Sequence, residues 1–473
     1  MKEMVYRSPF ESRYASEEML YLFSEQNRFT TWRRLWLELA TKEKELGLPI
    51  TDEQLDALAS SVEDIDFDKS SDYEKRFRHD VMAHVHTYGD AAPVARGIIH
   101  LGATSAFVQD NGDLITYKKA LESLEKKLRT LLIKMADFCL TYKDLPTLGF
   151  THFQPAQVTT VGKRASLWLY DLFMDYEKLI YTKEHLLFRG VKGTTGTQAS
   201  FLELFDNDHE KVKALDEALA LHFGFKKSLP LTGQTYTRKQ DTNILQVLAG
   251  IAESSHKLTN DIRLLQHMKE MEEPFNDEQI GSSAMAYKRN PMRSERVSSL
   301  SKFVLSLSLN PSMVHATQWF ERTLDDSANR RLSMSEAFLA TDSILIILQN
   351  IFSDLRVYPK MIEKRLKDHL PYMMTENILM EAVKLGGDRQ ELHEQIRKHS
   401  ILSQQRFKEG YDNDLLERLL GDDSFALTKE KLQDLLDPTL YIGRSAEQVE
   451  EFIRESIDPL RSLERSEEKE LKV

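Results

Sequence analysis

The sequence predicts an all-α protein built around a bundle of long helices, and three observations carry that reading. Leu, Glu, Lys and Ala abound, whereas 473 residues include only 19 glycines and 13 prolines, a composition that favours helix over sheet. An apolar seam runs in steps of three and four over Leu114, Tyr117, Leu121, Leu124, Leu128, Leu131, Met135 and Phe138, with Lys and Glu outside it. A second seam follows at Ile244, Leu248, Ile251, Ser255, Leu258, Ile262 and Leu265. Such spacing puts one apolar stripe on each helix.

The elements then fall in order. Residues 1–104 carry short helical patterns and form an N-terminal helical domain. The central domain, 105–357, holds five long helical segments. The first, 112–142, would be roughly 45 Å long at ~1.5 Å per residue. Segments 158–187, 293–320 and 327–353 join the second seam, and Pro311 should break or kink the 293–320 helix because it lacks an amide donor. No convincing strand lies between them, which implies a bundle. Residues 358–473 form a C-terminal helical domain whose charged end, RSLERSEEKELKV, is expected to fray. Apolar faces of this length exceed what one bundle covers, so self-association is expected.

Composition excludes several classes. With 41% hydrophobic and 29% charged residues the chain is globular rather than disordered. A net charge of −12 disfavours nucleic acid and anionic membranes as partners, while leaving room for a local basic pocket. Cys139 is the only cysteine, so neither a disulfide framework nor a cysteine zinc site is expected. The N-terminus has no apolar signal core, and ILIILQNIF (344–352) is too short and too interrupted to span a bilayer. A soluble, cytoplasmic protein is the expectation.

Four polar segments interrupt or end these helices: RFRHDVMAHVH (76–86), IIHLGATSAFVQDN (98–111), PTLGFTHFQPAQ (146–157) and GSSAMAYKRNPMRSE (281–295). Bundle ends are where such folds assemble pockets. Taken singly, each segment also has a plain reading. His79, His84 and His86 suit a hydrogen-bonded helix face, and a zinc set is weak without HExxH or a cysteine partner. Thr104 and Ser105 suit a helix cap. His152 suits a buried histidine, and Arg322, Arg330 and Arg331 suit ion pairs with Glu321, Asp325 and Asp326.

In combination the segments resemble a known family. GSSAMAYKRNP resembles the signature of the fumarase/aspartase superfamily, usually GSSxMPxKxNP, and THFQPAQ and GATS resemble its histidine and small-hydroxyl segments. KRFRHDVMAH, FRGVKGTTGTQASF, LTGQTYTRK, EMEEPF and WFERTLDDSANRR narrow the resemblance to adenylosuccinate lyases of the animal type, from RSPFESRY to DPTLYIGRSAEQV (437–449).

The resemblance implies a three-domain, fumarase-like fold whose long helices form the core of a homotetramer, with each active site shared between three subunits. It implies β-elimination of fumarate from adenylosuccinate, giving AMP, and from SAICAR, giving AICAR, with no cofactor or metal. By position Ser282 is the base, Lys288 stabilises its alkoxide, His152 is the acid, and His79 is a second histidine at the phosphate end. Asn290 holds substrate charge beside Lys288, and Thr104, Ser105 and Gln234 hold carboxylate and substrate. Arg13, Tyr14, Arg322, Ser327 and Arg331 suit the phosphate. Arg78 and Asp80 flank His79, and Arg296 binds as the loop closes.

The residue types fit that chemistry. A carbon acid beside a carboxylate ionises only when prepositioned donors hold the dianion. A serine base needs desolvation and a nearby cation, which a closing loop supplies. Histidine titrates near working pH and suits protonation of the leaving amine. Ala286 departs from the signature proline, at up to about 1 kcal/mol of pre-organisation. Another fumarate-releasing lyase, such as argininosuccinate lyase, and a non-catalytic structural relative remain as alternatives; intact Ser282, His152, Lys288 and Asn290 speak for catalysis.

Overall fold

The structure, a computed structural model, describes residues 4–276, 278–467 and 471. Its centre is five long helices: Ser105–Thr141, Val161–Glu184, Lys239–His267, Met292–Leu307 and Asp325–Ser353, here called the first to fifth core helices. All residues of the two seams are buried within the single chain. Side-chain contacts fix the directions. Gly162 N–H donates to the Tyr142 carbonyl at 2.8 Å, and farther along Arg129 reaches the Tyr176 hydroxyl at 3.0 Å, so the first and second helices are antiparallel. Trp168 donates to Asp261 and Ser254 to Asp175, making the third antiparallel to the second. The fifth runs parallel to the first and third, since Arg330 meets both Asp113 and Asp241 near their starts.

The chain breaks the fourth helix where expected: Pro311 sits in the first turn of a separate short helix, Asn310–Ala316, where its missing N–H costs nothing. The absence of strands was not met. Residues Pro146–Thr151 and Gln154–Thr160 form an antiparallel hairpin between the first two core helices, so 158–160 are strand rather than helix. Thr147, Val158, Thr159 and Thr160 are β-branched and favour that state. The turn is made by His152 and Phe153, both at positive φ (51° and 58°). Side chains there crowd the backbone, which is why glycine and asparagine usually hold such turns.

The expected C-terminal unit, 358–473, divides in two. Helices Pro359–Met373, Thr375–Lys384 and Arg389–Lys408 build a second core with Leu148 and Val158 of the hairpin. Residues Val449, Ile453, Ile457 and Leu460 return to the main core. Part of the charged tail is held as well: Ser466 N–H donates to Thr130 at 3.1 Å, while residues 468–470, 472 and 473 lie outside the described residues.

Two further expectations shift. The seams leave no apolar face uncovered, but the second core helix does expose one, where Leu167, Tyr170, Met174 and Tyr181 are 47–64% exposed. The fifth core helix has a window long and apolar enough to cross a membrane by composition alone, yet 83% of that window is buried inside the protein. It is the spine of the bundle.

Candidate functional site

Because the first, third and fifth core helices start together, the bundle has a start end and a far end. The candidate residues divide between them. At the start end, His79 caps helix Asp80–Ala91: its Nδ1 accepts from Met82 N–H at 3.3 Å. The proton of a neutral ring therefore sits on Nε2, which lies 3.3 Å from Ser105 Oγ and is placed to donate. Thr104 occupies the cap position of the first core helix, but its hydroxyl makes no capping bond. Arg78 ends the preceding helix in the left-handed region (φ 53°), an unfavourable conformation for a side chain.

Asp80 accepts from Arg331 Nη2 at 3.1 Å and from Gln109 Nε2 at 3.1 Å. A carboxylate that repels an anion but orients two donors is a holder of ligands rather than a ligand. Gln234 Oε1 accepts from Arg322 Nη1 at 2.8 Å, drawing together the 232–234 and 319–322 loops. Gly233 permits this approach, since a Cβ there would lie 2.4 Å from the Glu321 carbonyl oxygen.

Arg322, Ser327 and Arg331 all line one cavity of about 190 Å³. Its wall includes a buried network. Arg238 bonds Asp326 at 2.6 Å and Asp110 at 3.1 Å, and Arg330 bonds Asp241 at 2.6 Å and the Tyr236 hydroxyl at 2.5 Å. Burial alone would raise the Asp110 carboxyl, but Arg238, Arg330 and Arg189 hold it below its usual range. Arg189 is fully buried among the carbonyls of Gly190, Gly193 and Gln234, and burial pushes it down to about 10. Sequence reasoning named none of Arg28, Asp110, Asp113, Arg238 and Asp326 as site residues. Their pairing spans 88 to 128 positions along the chain for the Arg238 bonds, and no local pattern announces it.

At the far end lies the segment that carries Ser282. The base of its loop is closed by Asn290 Nδ2, which donates to the Gly281 carbonyl at 2.7 Å. Glu273 fixes the following helix: its carboxylate accepts from Arg293 N–H at 2.8 Å and Ser294 N–H at 2.9 Å, the favourable place for a negative charge at a helix start. EMEEPF contained that residue, but only the structure gives its role. Between these anchors Lys288 and Ala286 are exposed and Ser282 is half-buried. Ser282 Oγ accepts from Met285 N–H at 3.1 Å and Ala284 N–H at 3.4 Å. His152 stands exposed at the tip of the hairpin, on its positive-φ turn.

Tyr14 gathers two other candidates. The Arg13 guanidinium lies 6.0 Å and that of Arg296 5.4 Å from its ring centre. The segment is tied down two residues later, where Asp342 accepts from Ser16 N–H at 2.7 Å and pairs with Lys127 at 2.7 Å.

Among the described residues, no hydrogen bond or ion pair joins His152 to the Ser282 loop, or either of them to His79. The third core helix alone has 29 residues, so roughly 40 Å separate the Gln234 end from the Ser282 end. One chain thus presents an arginine- and aspartate-lined pocket at one end and hydroxyl, ammonium and imidazole groups at the other.

Comparison with known proteins shows the family. A family profile described as Lyase matches residues 59–305, and one described as adenylosuccinate lyase C-terminus matches 371–452. The chain is 50% identical to the adenylosuccinate lyase of Schizosaccharomyces pombe, over 99% of both chains. It is 52% identical to that of Saccharomyces cerevisiae, over 96% of this chain and 95% of the relative. Both come from yeasts, so these matches do not single out the animal type. Among solved structures, a 3-carboxy-cis,cis-muconate lactonizing enzyme from Pseudomonas putida superposes with a TM-score of 0.83 at 23% identity, covering 96% of this chain and 99% of that one; at that identity the match speaks for the fold alone. The all-α, fumarase-like architecture and the full-length identity agree: the chain belongs to the adenylosuccinate lyase family, within the fumarase/aspartase superfamily of lyases.

Proposed function

We propose that the chain releases fumarate from adenylosuccinate and from SAICAR, leaving AMP and AICAR, with Ser282 as base and His152 as acid. The observation that carries this reading is the Ser282 loop, pinned at both ends and open between them. Two backbone N–H groups already point at Ser282 Oγ, and donors so placed favour an alkoxide over a hydroxyl. Lys288, on the same loop, adds positive charge, and closing over substrate removes the water that screens it. The deprotonated Ser282 takes the proton beside the carboxylate, Lys288 and Asn290 stabilise the dianion, and His152 delivers a proton to the departing nitrogen. At the other pole, Arg322, Ser327 and Arg331 receive the phosphate, and Arg13 and Tyr14, which stand beside Arg296 toward the Ser282 end of their own chain, reach it from an apposed copy. His79 stands at the phosphate end, flanked by Arg78 and Asp80, while Thr104, Ser105 and Gln234 hold carboxylate and substrate, and Arg296 joins on closure.

A substrate of nucleotide size cannot bridge roughly 40 Å, so the reading requires antiparallel copies that bring the far end of one chain to the start end of another. A homotetramer with shared sites meets this need, and the uncovered face of the second core helix supports it. A reducing, cytoplasmic setting is part of the proposal, in keeping with Cys139 as a buried free thiol.

The test is an ultraviolet assay for fumarate release from adenylosuccinate, with argininosuccinate and malate as controls. Release from adenylosuccinate alone supports the assignment, and release from argininosuccinate instead overturns it. Ser282→Ala and His152→Ala should each lose several orders of magnitude. Mixing the two inactive variants under subunit exchange should restore part of the activity. No recovery, with exchange verified, would place both groups in one chain's site.

A further inference from the structure

The start-end cavity holds more positive charge than the assigned phosphate contacts use. Five arginines (28, 238, 322, 330 and 331) line it against three aspartates (110, 113 and 326). Arg238 and Arg330 are spoken for by buried carboxylates. Arg28 is not. It reaches the cavity from helix Glu25–Glu45, with its guanidinium 4.9 Å from the Trp32 ring centre and 5.7 Å from that of Phe29. Asp113, Asp80 and Glu25 attract it, but its one ion-pair contact among the described residues, with Asp80, is loose at 4.0 Å, whereas Arg331 takes the same carboxylate oxygen at 3.1 Å.

Three of the arginines that line the cavity also carry unmatched donors. Arg28 Nε, Arg322 Nε and Arg238 Nη1 are buried and bonded to no acceptor among the described residues; Arg238 itself is 2% exposed. Buried N–H groups without acceptors are costly, and guanidinium groups of like charge packed together cost more. Asp326 Oδ1 lacks a donor as well, but one spare acceptor does not answer three donors. Burial lowers the Arg28 pKa from its ordinary value; Asp113 opposes that and the neighbouring Arg331 adds to it, and an anion in the cavity would raise it again. The rings of Phe29 and Trp32 hold the guanidinium in place beforehand, so little freedom is lost on binding.

We propose that Arg28 is a further anion-binding residue, gripping a phosphate monoester in this cavity alongside Arg322, Ser327 and Arg331. The substrate part of this inference rests on the function proposed above. The anion part does not. Asp80 holds Arg331 at 3.1 Å and lies 4.0 Å from Arg28, so the two forks share one mouth and the phosphate meets both at once.

The experiment titrates inorganic phosphate into the full-length protein by calorimetry and measures KM and kcat for adenylosuccinate, in wild type, Arg28→Met and Arg28→Lys. Arg28→Met should weaken phosphate binding and raise KM by roughly 10- to 100-fold, with kcat at saturation falling far less. Arg28→Lys, which keeps the stem and charge but loses the fork, should fall between. Phosphate affinity and KM within about twofold of wild type in both variants would overturn the proposal. So would a loss of melting temperature with no change in either, which marks a purely structural ion pair. Should Arg28→Met fail to fold, Arg28→Lys decides the matter by the same two readings. Arg28-dependent phosphate binding in a protein that releases no fumarate would sink the substrate reading and leave the anion site standing.

Discussion

At Gly281 an added Cβ would lie 2.2 Å from the Lys288 carbonyl oxygen, so the two strands of the loop base approach as closely as they do because no side chain intervenes. The same glycine supplies the carbonyl that Asn290 holds. Gly281→Ala should therefore open the base and displace Ser282 and Lys288 together. A displacement of about 1 Å costs on the order of 100-fold in turnover, while the melting temperature should barely move, because the loop is largely exposed. Steady-state kinetics beside a thermal melt checks this; unchanged turnover would detach loop geometry from catalysis. Ala286 offers the opposite change. It is exposed in mid-loop, and Ala286→Pro should reduce the freedom lost on closure by up to about 1 kcal/mol, or roughly fivefold in kcat/KM. Identical kinetics in that variant would mean the departure from the signature has no consequence.

Contacts between elements hold both ends of the site in register. Arg238 at the start of the third core helix meets Asp110 on the first and Asp326 on the fifth. Removing one partner strands a buried charge, so Asp326→Ala should cost about 3–5 kcal/mol, read by denaturant melts. Asp342→Ala should do the same to Lys127 and also release Ser16, loosening the segment that carries Arg13 and Tyr14; limited proteolysis near the N-terminus is the added readout. An N-terminus as resistant as wild type would show the segment is held by other contacts. These ties explain what the sequence could and could not convey. The seams at 114–138 and 244–265 were legible because a buried helix face repeats every turn, and the break at Pro311 because proline lacks its donor. The hairpin was not, since its tip is His152–Phe153, and neither residue favours positive φ. The motif residues were legible as types at familiar spacing. Their separation onto two ends of a bundle was not, and neither was Arg28, because charge pairing across distant helices leaves no local periodicity.

For the molecule as a whole, shifted groups away from the catalytic loop shape the pH response, and three of them show the two opposing signs. His84, stacked on Phe29 at 3.6 Å, is pushed down to about 4 by burial and by Arg33 and Arg28. His100, which accepts from Trp36 Nε1 at 2.8 Å, is pushed to about 4 by burial and by His79. Glu43 is fully buried with neither carboxyl oxygen bonded, and burial pushes it up to about 9. The histidines stay neutral when folded and gain protons when unfolded, so stability is lost as pH falls from about 6.5 towards 4. Glu43 has the opposite sign: it keeps a proton when folded that the unfolded chain releases, so stability is lost as pH rises from about 4.5 to 9. Glu43→Gln keeps the volume and removes the titration. It should stabilise the protein by a few kcal/mol at about pH 8.5, with the gain vanishing towards pH ~4.5. Melts across this range at one fixed protein concentration, which keeps any subunit association constant, provide the check. An alkaline decline that persists undiminished in Glu43→Gln would assign the sensitivity to another group.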